Sequence, residues 1–202
     1  IRNNITSNSY GIHMTASSDN KFFHNNFVDN TVQVYIPFPG DPSFWNGTLE
    51  GNYWSDYAGF DLNRDGIGDS ARIIDANNRD NFPLMGLFNS FNTSLSYHVN
   101  VISNSTIDDF KFFKSPANIT IKMHVSNMTL TQTAGLCRVC IPHVLMTEIY
   151  NVTIEGAAPH HANYTLHNNG THGWIYFNYN HSVLEVIIQG LDNEPPIIDI
   201  IA

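Results

Sequence analysis

The N-terminal part of the chain repeats with a period of 22 residues, and this repeat restricts the fold more than any other feature. Along the chain, Asn3-Asn4-Ile5 recurs as Asn25-Asn26-Phe27, Asn8 as Asn30, Ile12 as Val34 and Met14 as Ile36. Such a period is typical of solenoids, in which each repeat forms one coil. Stacked coils would place Ile5 over Phe27 in an apolar core. They would also place Asn4 over Asn26 in an amide ladder at a turn, where asparagine tolerates left-handed backbone.

The repeat therefore predicts an all-β chain that begins with the C-terminal coils of a right-handed parallel β-helix. About two coils are recognisable, which is fewer than a solenoid normally needs, so we expect a preceding stack or a partner chain to cover the first coil. The apolar terminal segment, residues 197–202, could pair with an exposed sheet edge of another copy and give a head-to-tail filament or sheet. A longer parent chain that covers both ends is the alternative.

An acidic stretch that begins at Asp61 has the spacing of a calcium loop. Oxygen-bearing groups recur at every second position, and a glycine stands where such a loop must turn sharply. The predicted Ca²⁺ ligands are Asp61, Asn63, Asp65, the carbonyl of Ile67 and Asp69, with Gly66 at the turn and Asp75 or Asp80 closing the shell. The position at which an EF-hand carries a bidentate glutamate is Arg72, so the loop is not an EF-hand. A solvated acidic turn is the alternative.

Residues 38–88 interrupt the repeat and carry several aromatic rings in a polar context. Prolines stop the strands, and Trp45, Tyr53 and Trp54 follow within a short distance. These rings can plug the open end of the β-helix or form a sugar-binding platform. We favour the plug, because the end of a solenoid must be covered and large rings do so well. The calcium loop would then pin this cap.

The remainder of the chain predicts a second domain. Between residues 92 and 190, short alternating stretches are separated by turn residues at intervals typical of a β-sandwich. The predicted domains are therefore residues 1–91 (β-helix end and cap), 92–190 (β-sandwich) and 191–202 (linker and terminal strand). No segment has the periodicity and caps of a helix.

Charge and hydropathy exclude two classes of partner. The 202-residue chain has a net charge of −9 and no basic cluster, so nucleic-acid binding is not expected. It contains no apolar run of roughly 18 residues, so no transmembrane segment is expected in it. The expected partners are copies of the chain itself and glycans.

Asparagine sequons place the chain outside the cell. Ten Asn-X-Ser/Thr sites occur, which is more than the composition of the chain would produce by chance. Glycosylation at such a site requires that the asparagine be exposed on a secreted protein. The predicted glycosylation sites are Asn4, Asn46, Asn92, Asn104, Asn118, Asn127, Asn151, Asn163, Asn169 and Asn180. The alternative is that strands rich in Asn and Thr create sequons by chance.

The two cysteines, Cys137 and Cys140, leave three interpretations open. They can form a disulfide, remain buried free thiols, or bind a metal with His143 and His160 or His161. A lone CxxC is a weak signal. Residues three apart on a regular strand point to opposite faces, which argues against a shared metal.

The motifs GNYWSDY, DLNRDGIGD and DNFPLM, together with the NNF coils, resemble the C-terminal end of NosD-like right-handed β-helix proteins. More narrowly, they resemble the surface and S-layer-associated members that are abundant in archaea. The resemblance covers about residues 1–88, and the following segment is similar to the β-sandwich module of such proteins. The family name implies periplasmic copper delivery, but no matching copper motif is present, so we do not expect that activity.

The resemblance implies a structural protein of an S-layer, sheath or filament, whose partners are copies of itself or other surface-layer subunits. Together with the sequons and the acidic loop, it leads us to expect an extracellular glycoprotein with a structural Ca²⁺ site and no enzymatic activity. A carbohydrate-binding module of a larger secreted protein is the first alternative, and it would expose Trp45, Tyr53 and Trp54 on one face. A remnant of a polysaccharide-active β-helix enzyme is the second. Such an enzyme needs acid and base groups in a groove across several coils, and the acids here cluster in the loop instead.

Overall fold

A computed structural model describes residues 2–38, 42–115, 118–158, 165–180 and 183–192 of the chain. These residues form strands and turns without a helix, so the all-β prediction is confirmed. The chain divides into two compact units, which are unit 1 (Ile1–Asn89) and unit 2 (Ser90–Ala202). The exact domain bounds proposed from the sequence stay a prediction.

Unit 1 is built from short strands that stack in parallel. Its strands are β1 (Asn4–Thr6), β2 (Tyr10–His13), β3 (Asn26–Val28), β4 (Val32–Tyr35), β5 (Tyr53–Trp54), β6 (Arg72–Ile73) and β7 (Arg79–Asp80). One parallel sheet has the order β1-β3-β5, β2 pairs with β4 in parallel, and β6 pairs with β7 antiparallel.

The register of these strands reproduces the sequence repeat. Ile5 pairs with Phe27 and Asn4 with Asn26 in the first sheet. Ile12 pairs with Val34 in the second sheet. The predicted stacking of coils at the 22-residue period is thus present, while the right-handed sense of the coiling stays a prediction.

Aromatic rings fill the interior of unit 1. Trp45 and Trp54 are each 1 % exposed. The Phe27 ring stacks on Trp54 with centroids 4.2 Å apart, and Phe22 stacks on Trp45 at 4.4 Å. Both indoles are therefore buried within the stack, as the plug interpretation requires, and neither offers a face to a sugar.

Unit 2 consists of two antiparallel sheets. Its strands are β8 (Leu87–Asn92), in which the unit boundary falls, β9 (His98–Ser103), β10 (Thr106–Lys114), β11 (Asn118–Ser126), β12 (Ala134–Pro142), β13 (Glu148–Ile154), β14 (Thr165–Asn168), β15 (His172–Asn180) and β16 (Leu184–Leu191). One sheet has the order β10-β11-β16-β13, and the other has the order β14-β15-β12-β9-β8.

The inner faces of these two sheets share one apolar core. In β11, alternate side chains from Ile119 to Val125 are fully buried, and Val139 and Phe177 of the other sheet belong to the same cluster. This alternation is the pattern of strands with one buried and one solvated face. Unit 2 therefore has the sandwich arrangement that the spacing of its strands predicts.

Candidate functional site

The carboxylates of the predicted calcium loop accept hydrogen bonds from the loop itself. Asp61 accepts from the backbone N–H groups of Asp65 (3.0 Å) and Gly66 (2.9 Å). Asp65 accepts from Ile67 N–H at 2.8 Å, and Asp69 accepts from Leu62 N–H at 2.6 Å. The same spacing of short acids thus builds a series of Asx-type turns.

The side chains proposed to close the shell lie in other contacts. Asp75 caps its own turn by accepting from the N–H groups of Asn77 (2.7 Å) and Asn78 (2.8 Å). Within the described ranges, no three His, Cys, Asp or Glu side chains lie close enough together to hold a metal ion. Partial burial raises the pKa of Asp61, more than its hydrogen bonds to Gly66 and Asp65 lower it.

A ladder of amide side chains runs along the stack of unit 1 and ends at a carboxylate. Asn25 Oδ1 accepts from the backbone N–H (3.2 Å) and the Nδ2 (2.9 Å) of Asn3. Asn52 Oδ1 accepts in the same way from Asn25, at 3.1 and 2.9 Å. Asp80 Oδ2 then accepts from Asn52, at 2.7 and 3.3 Å. Each rung satisfies the donors of the coil before it.

Asp80 terminates this ladder inside the protein. Its side chain is fully buried and also accepts from Trp54 Nε1 (3.0 Å) and Phe82 N–H (3.0 Å). Burial raises the pKa of Asp80, and the hydrogen bonds from Trp54 and Asn52 only partly oppose this rise. Gly51 lies beside it, where a Cβ would collide with the carboxylate. The geometry makes Asp80 an internal acceptor and not a closing ligand of the loop.

Sequence analysis anticipated a neighbouring part of this arrangement. Asn26 Nδ2 donates to Asn4 Oδ1 at 2.7 Å, as the amide-ladder prediction requires. The 22-residue repeat does not predict the longer ladder through Asn52. The steps from Asn25 to Asn52 and from Asn52 to Asp80 span 27 and 28 residues and so depart from the period. The sequence feature that marks this ladder is an asparagine directly before the first residue of a strand, as in Asn25 before β3 and Asn52 before β5.

Unit 1 contains a cavity of about 290 Å³ beside β4. Arg72 and Asp56 line it and form an ion pair at 2.7 Å, and the guanidinium lies 5.7 Å from the centroid of Trp54. Because the charges of this pair compensate each other, the cavity presents little net charge to a ligand.

Cys137 and Cys140 are both buried and are not joined by a disulfide. Cys137 lies in the core and contacts Ser103 Oγ at 3.2 Å. Burial raises the pKa of the Cys137 thiol to about 11. Cys140 lies three positions further along β12 and is not part of that core cluster.

The predicted glycosylation sites differ in exposure to solvent. Six are exposed, namely Asn4, Asn92, Asn118, Asn127, Asn169 and Asn180. The partly buried amides of Asn46, Asn104 and Asn151 donate to Gly47, Ala134 and Gln189. Asn163 and the terminal segment 197–202 lie outside the described residues. Glycosylation, self-association and glycan binding stay predictions.

A second cavity, of about 200 Å³, lies at one end of the sandwich in unit 2. Its lining includes His143, Met146, Glu148 and His167. In the sequence, His143 is a candidate metal ligand only together with the cysteines. The thioether of Met146, three residues further on, forms no recognisable motif with it.

Residues 1–59 match the family model described as "Periplasmic copper-binding protein (NosD)". A relative named "Probable ABC transporter binding protein NosD" from Stutzerimonas stutzeri is 46 % identical over 71 residues, which is 34 % of this chain and 16 % of that protein. A protein of the same name from Pseudomonas aeruginosa is 41 % identical over 70 residues, with the same coverage. The chain thus spans about a sixth of the length of these relatives. No solved structure matches the chain.

These similarities support a NosD-like N-terminal region and correct two predictions. A structural S-layer glycoprotein is wrong as the function, because the similar proteins are named as binding proteins. Ca²⁺ is wrong as the cofactor, because the family description names copper. The finer resemblance to archaeal surface proteins has no support in these matches. Among the described residues, no helix is long and apolar enough to cross a membrane.

The matched segment itself does not offer a copper donor set. His13 bonds to Thr15 and packs between the rings of Tyr10 and Tyr35. His24 contacts Glu50 at 2.7 Å and stacks on Phe88. Imidazole, thiolate and thioether groups are the donors that copper prefers. The two histidines of this segment are already engaged, and its methionine, Met14, is buried in the apolar core of unit 1. The described part of residues 1–59 therefore does not fit a copper ion.

Proposed function

We propose that this chain is part of an extracytoplasmic accessory protein of the NosD type, which binds its ligand and does not transform it. The observation that carries the proposal is the match of residues 1–59 to a family described as periplasmic and copper-binding. The names of the relatives, which call them transporter binding proteins, support a role in binding rather than in catalysis.

In this proposal, unit 1 has a structural task. Its parallel coils continue a stack, and its buried tryptophans and Asp80 bring that stack to an end. A solenoid needs such a terminal unit because an uncovered coil exposes apolar core and unpaired backbone groups. The binding function of the whole protein would then rest on residues other than those of unit 1.

A chimera tests this assignment. Residues 1–89 replace the corresponding segment of the Stutzerimonas stutzeri relative, which is expressed in its own host. We expect the chimera to accumulate in the periplasm as a protease-resistant protein with the copper content of the unmodified relative. The matched control carries Asp80→Ala in the grafted segment, which removes the ladder terminus, and we expect it to be degraded.

Two results would contradict the proposal. Degradation of the chimera under conditions in which the relative accumulates would show that unit 1 cannot terminate a NosD stack. Loss of copper from a stable chimera would show that the replaced segment contributes more than structure.

A further inference from the structure

The cavity in unit 2 is lined by two histidines whose rings have no polar partner among the described residues. Seven of the ten histidines lie in the described part of the chain. Five of these have polar partners: His13 with Thr15, His24 with Glu50, His98 with Ser90, His124 with Asp109 and Glu185, and His172 with Thr171. Within the described residues, the rings of His143 and His167 have none, and both residues line the same cavity.

The local backbone brings His143 and Met146 together. After β12 ends at Pro142, the chain makes a turn in which the N–H groups of Leu145 (2.9 Å) and Met146 (3.1 Å) both donate to the Pro142 carbonyl. Residues three apart on a helix-like turn are neighbours on its surface. The N–H of His143 donates to the Thr171 carbonyl at 2.8 Å, which holds this turn against the β14–β15 hairpin.

Two glycines leave room around these side chains. A Cβ on Gly173 would lie 3.8 Å from His143 Nε2, and in its absence the space in front of the imidazole remains open. A Cβ on Gly190 would collide with the Met146 sulfur, so the glycine lets the thioether sit where it does. Met146 is only 1 % exposed, so its side chain is held in place by the surrounding core.

We propose that this cavity, which Glu148 and His167 also line, binds a copper(I) ion through the imidazole of His143 and the thioether of Met146. The inference rests on the proposed function for the identity of the metal, because the family description names copper. It places the ion outside the matched segment, in unit 2.

The donor types favour this ion over other metals. No three His, Cys, Asp or Glu side chains of the described residues form a metal site by themselves, so the thioether is a necessary member of the set. Thioethers select copper(I), whereas zinc sites use thiolate, imidazole and carboxylate. Calcium and magnesium take oxygen ligands.

Competition for copper(I) tests the proposal on the full chain. The protein is titrated anaerobically with copper(I) in the presence of a chromophoric copper(I) chelator, with zinc in a parallel experiment. We expect one equivalent of copper(I) to be retained. We also expect His143→Ala and Met146→Leu each to weaken retention at least tenfold. Leucine fills nearly the volume of methionine, so Met146→Leu preserves the core while it removes the sulfur.

Matched variants and a second measurement separate this site from other donors. Met123→Leu alters another buried methionine, and His124→Ala alters a histidine that is already paired, so both should retain copper(I) like the unmodified chain. In a chain with ¹³C-labelled methionine methyl groups, one equivalent of copper(I) should shift the Met146 signal and leave that of Met123 in place.

The proposal is overturned if the chain retains no copper(I), if the Met146 signal does not move, or if His143→Ala and Met146→Leu retain the ion unchanged. The last result would assign the copper to other donors, such as the cysteine thiols. Because the chimera described above contains unit 1 alone, its outcome does not depend on this cavity, and the two failures can be told apart.

Discussion

Each of the two units of this protein is stabilised internally by a different kind of interaction. In unit 1, strands of two to four residues are kept in register by side-chain amides and stacked rings, and the ladder of Asn3, Asn25 and Asn52 ends on the buried Asp80. In unit 2, strands of up to nine residues pack a continuous apolar core between two sheets. Short strands bury too little apolar surface to fix their own register. The register of unit 1 therefore depends on directional hydrogen bonds, whereas that of unit 2 depends on the close packing of its apolar core.

This difference determines which substitution does most damage in each unit. The largest loss is expected for Phe177→Ala in unit 2, where the ring is 1 % exposed within the core. Removing it leaves a cavity and should lower the free energy of unfolding by about 4 kcal/mol. Urea denaturation measures the loss, and hydrogen exchange should show it in β12 and β15. A loss below about 1 kcal/mol would mean that the core collapses around the missing ring.

Asp80→Ala is the corresponding test in unit 1. It leaves the donors of Asn52, Trp54 and Phe82 without their buried acceptor, which should cost about 3 kcal/mol. Asp80→Asn is the matched control, because it keeps one carbonyl oxygen and should lose about half as much. Tryptophan fluorescence during denaturation reports on Trp45 and Trp54 once the third tryptophan, Trp174 of unit 2, is replaced by Trp174→Phe in both variants and in the reference chain. Equal losses for both variants would show that a single carbonyl oxygen of the same size cannot replace the carboxylate at the end of the ladder.

Sequence analysis succeeded where a constant separation maps directly onto structure. The period of 22 residues gave the pairing of Ile5 with Phe27, because coils of equal length place equivalent residues above one another. It failed at Asp80, since coils of unequal length hide the same stacking from a search for a fixed period. The acidic loop was misassigned because alternating acids satisfy backbone N–H groups as readily as they satisfy an ion.

The cavity in unit 2 could not be predicted from the sequence for a different reason. His143, Met146 and Glu148 are close in sequence, but His167 and Gly173 join them only through the pairing of β14 with β15 and the fold of the sandwich. No local spacing encodes that meeting. The glycines that open space there also carry no signal in a single sequence, because their role depends on what lies opposite.

Acidification should act on the two units with opposite signs. Burial raises the pKa of Asp80 above its ordinary value of 3.8, so the folded state binds more protons there than the unfolded state. Its contribution to the free energy of unfolding therefore falls as pH rises from about that value through the raised pKa. In unit 2, the hydrogen bond from Lys122 lowers the pKa of Glu185, so the contribution of Glu185 is lost as pH falls below 4.5.

Denaturation curves between pH 3 and 6 measure this contrast, with the fluorescence of Trp45 and Trp54 in a Trp174→Phe background for unit 1 and hydrogen exchange of β16 for unit 2. Asp80→Asn should remove the acid-side gain from unit 1 and leave the acid-side loss in unit 2. An unchanged pH profile in Asp80→Asn would contradict the assignment of the gain to Asp80.

The smallest effect concerns reactivity and not stability. With its pKa raised to about 11 from an ordinary 9.0, the Cys137 thiol has a thiolate fraction at pH 8 that is about a hundredfold below that of a free cysteine. We therefore expect iodoacetamide to leave Cys137 unmodified in the native protein at pH 8 and to modify it rapidly in urea, as peptide mass spectrometry would show. Phe177→Ala should speed the native reaction by opening the core around Cys137, whereas Asp80→Ala, which weakens only unit 1, should not. Equal labelling of Cys137 in these two variants would show that the units do not open separately, and the contrast between a shape-dependent and a hydrogen-bond-dependent unit would then fail as a description of how the protein unfolds.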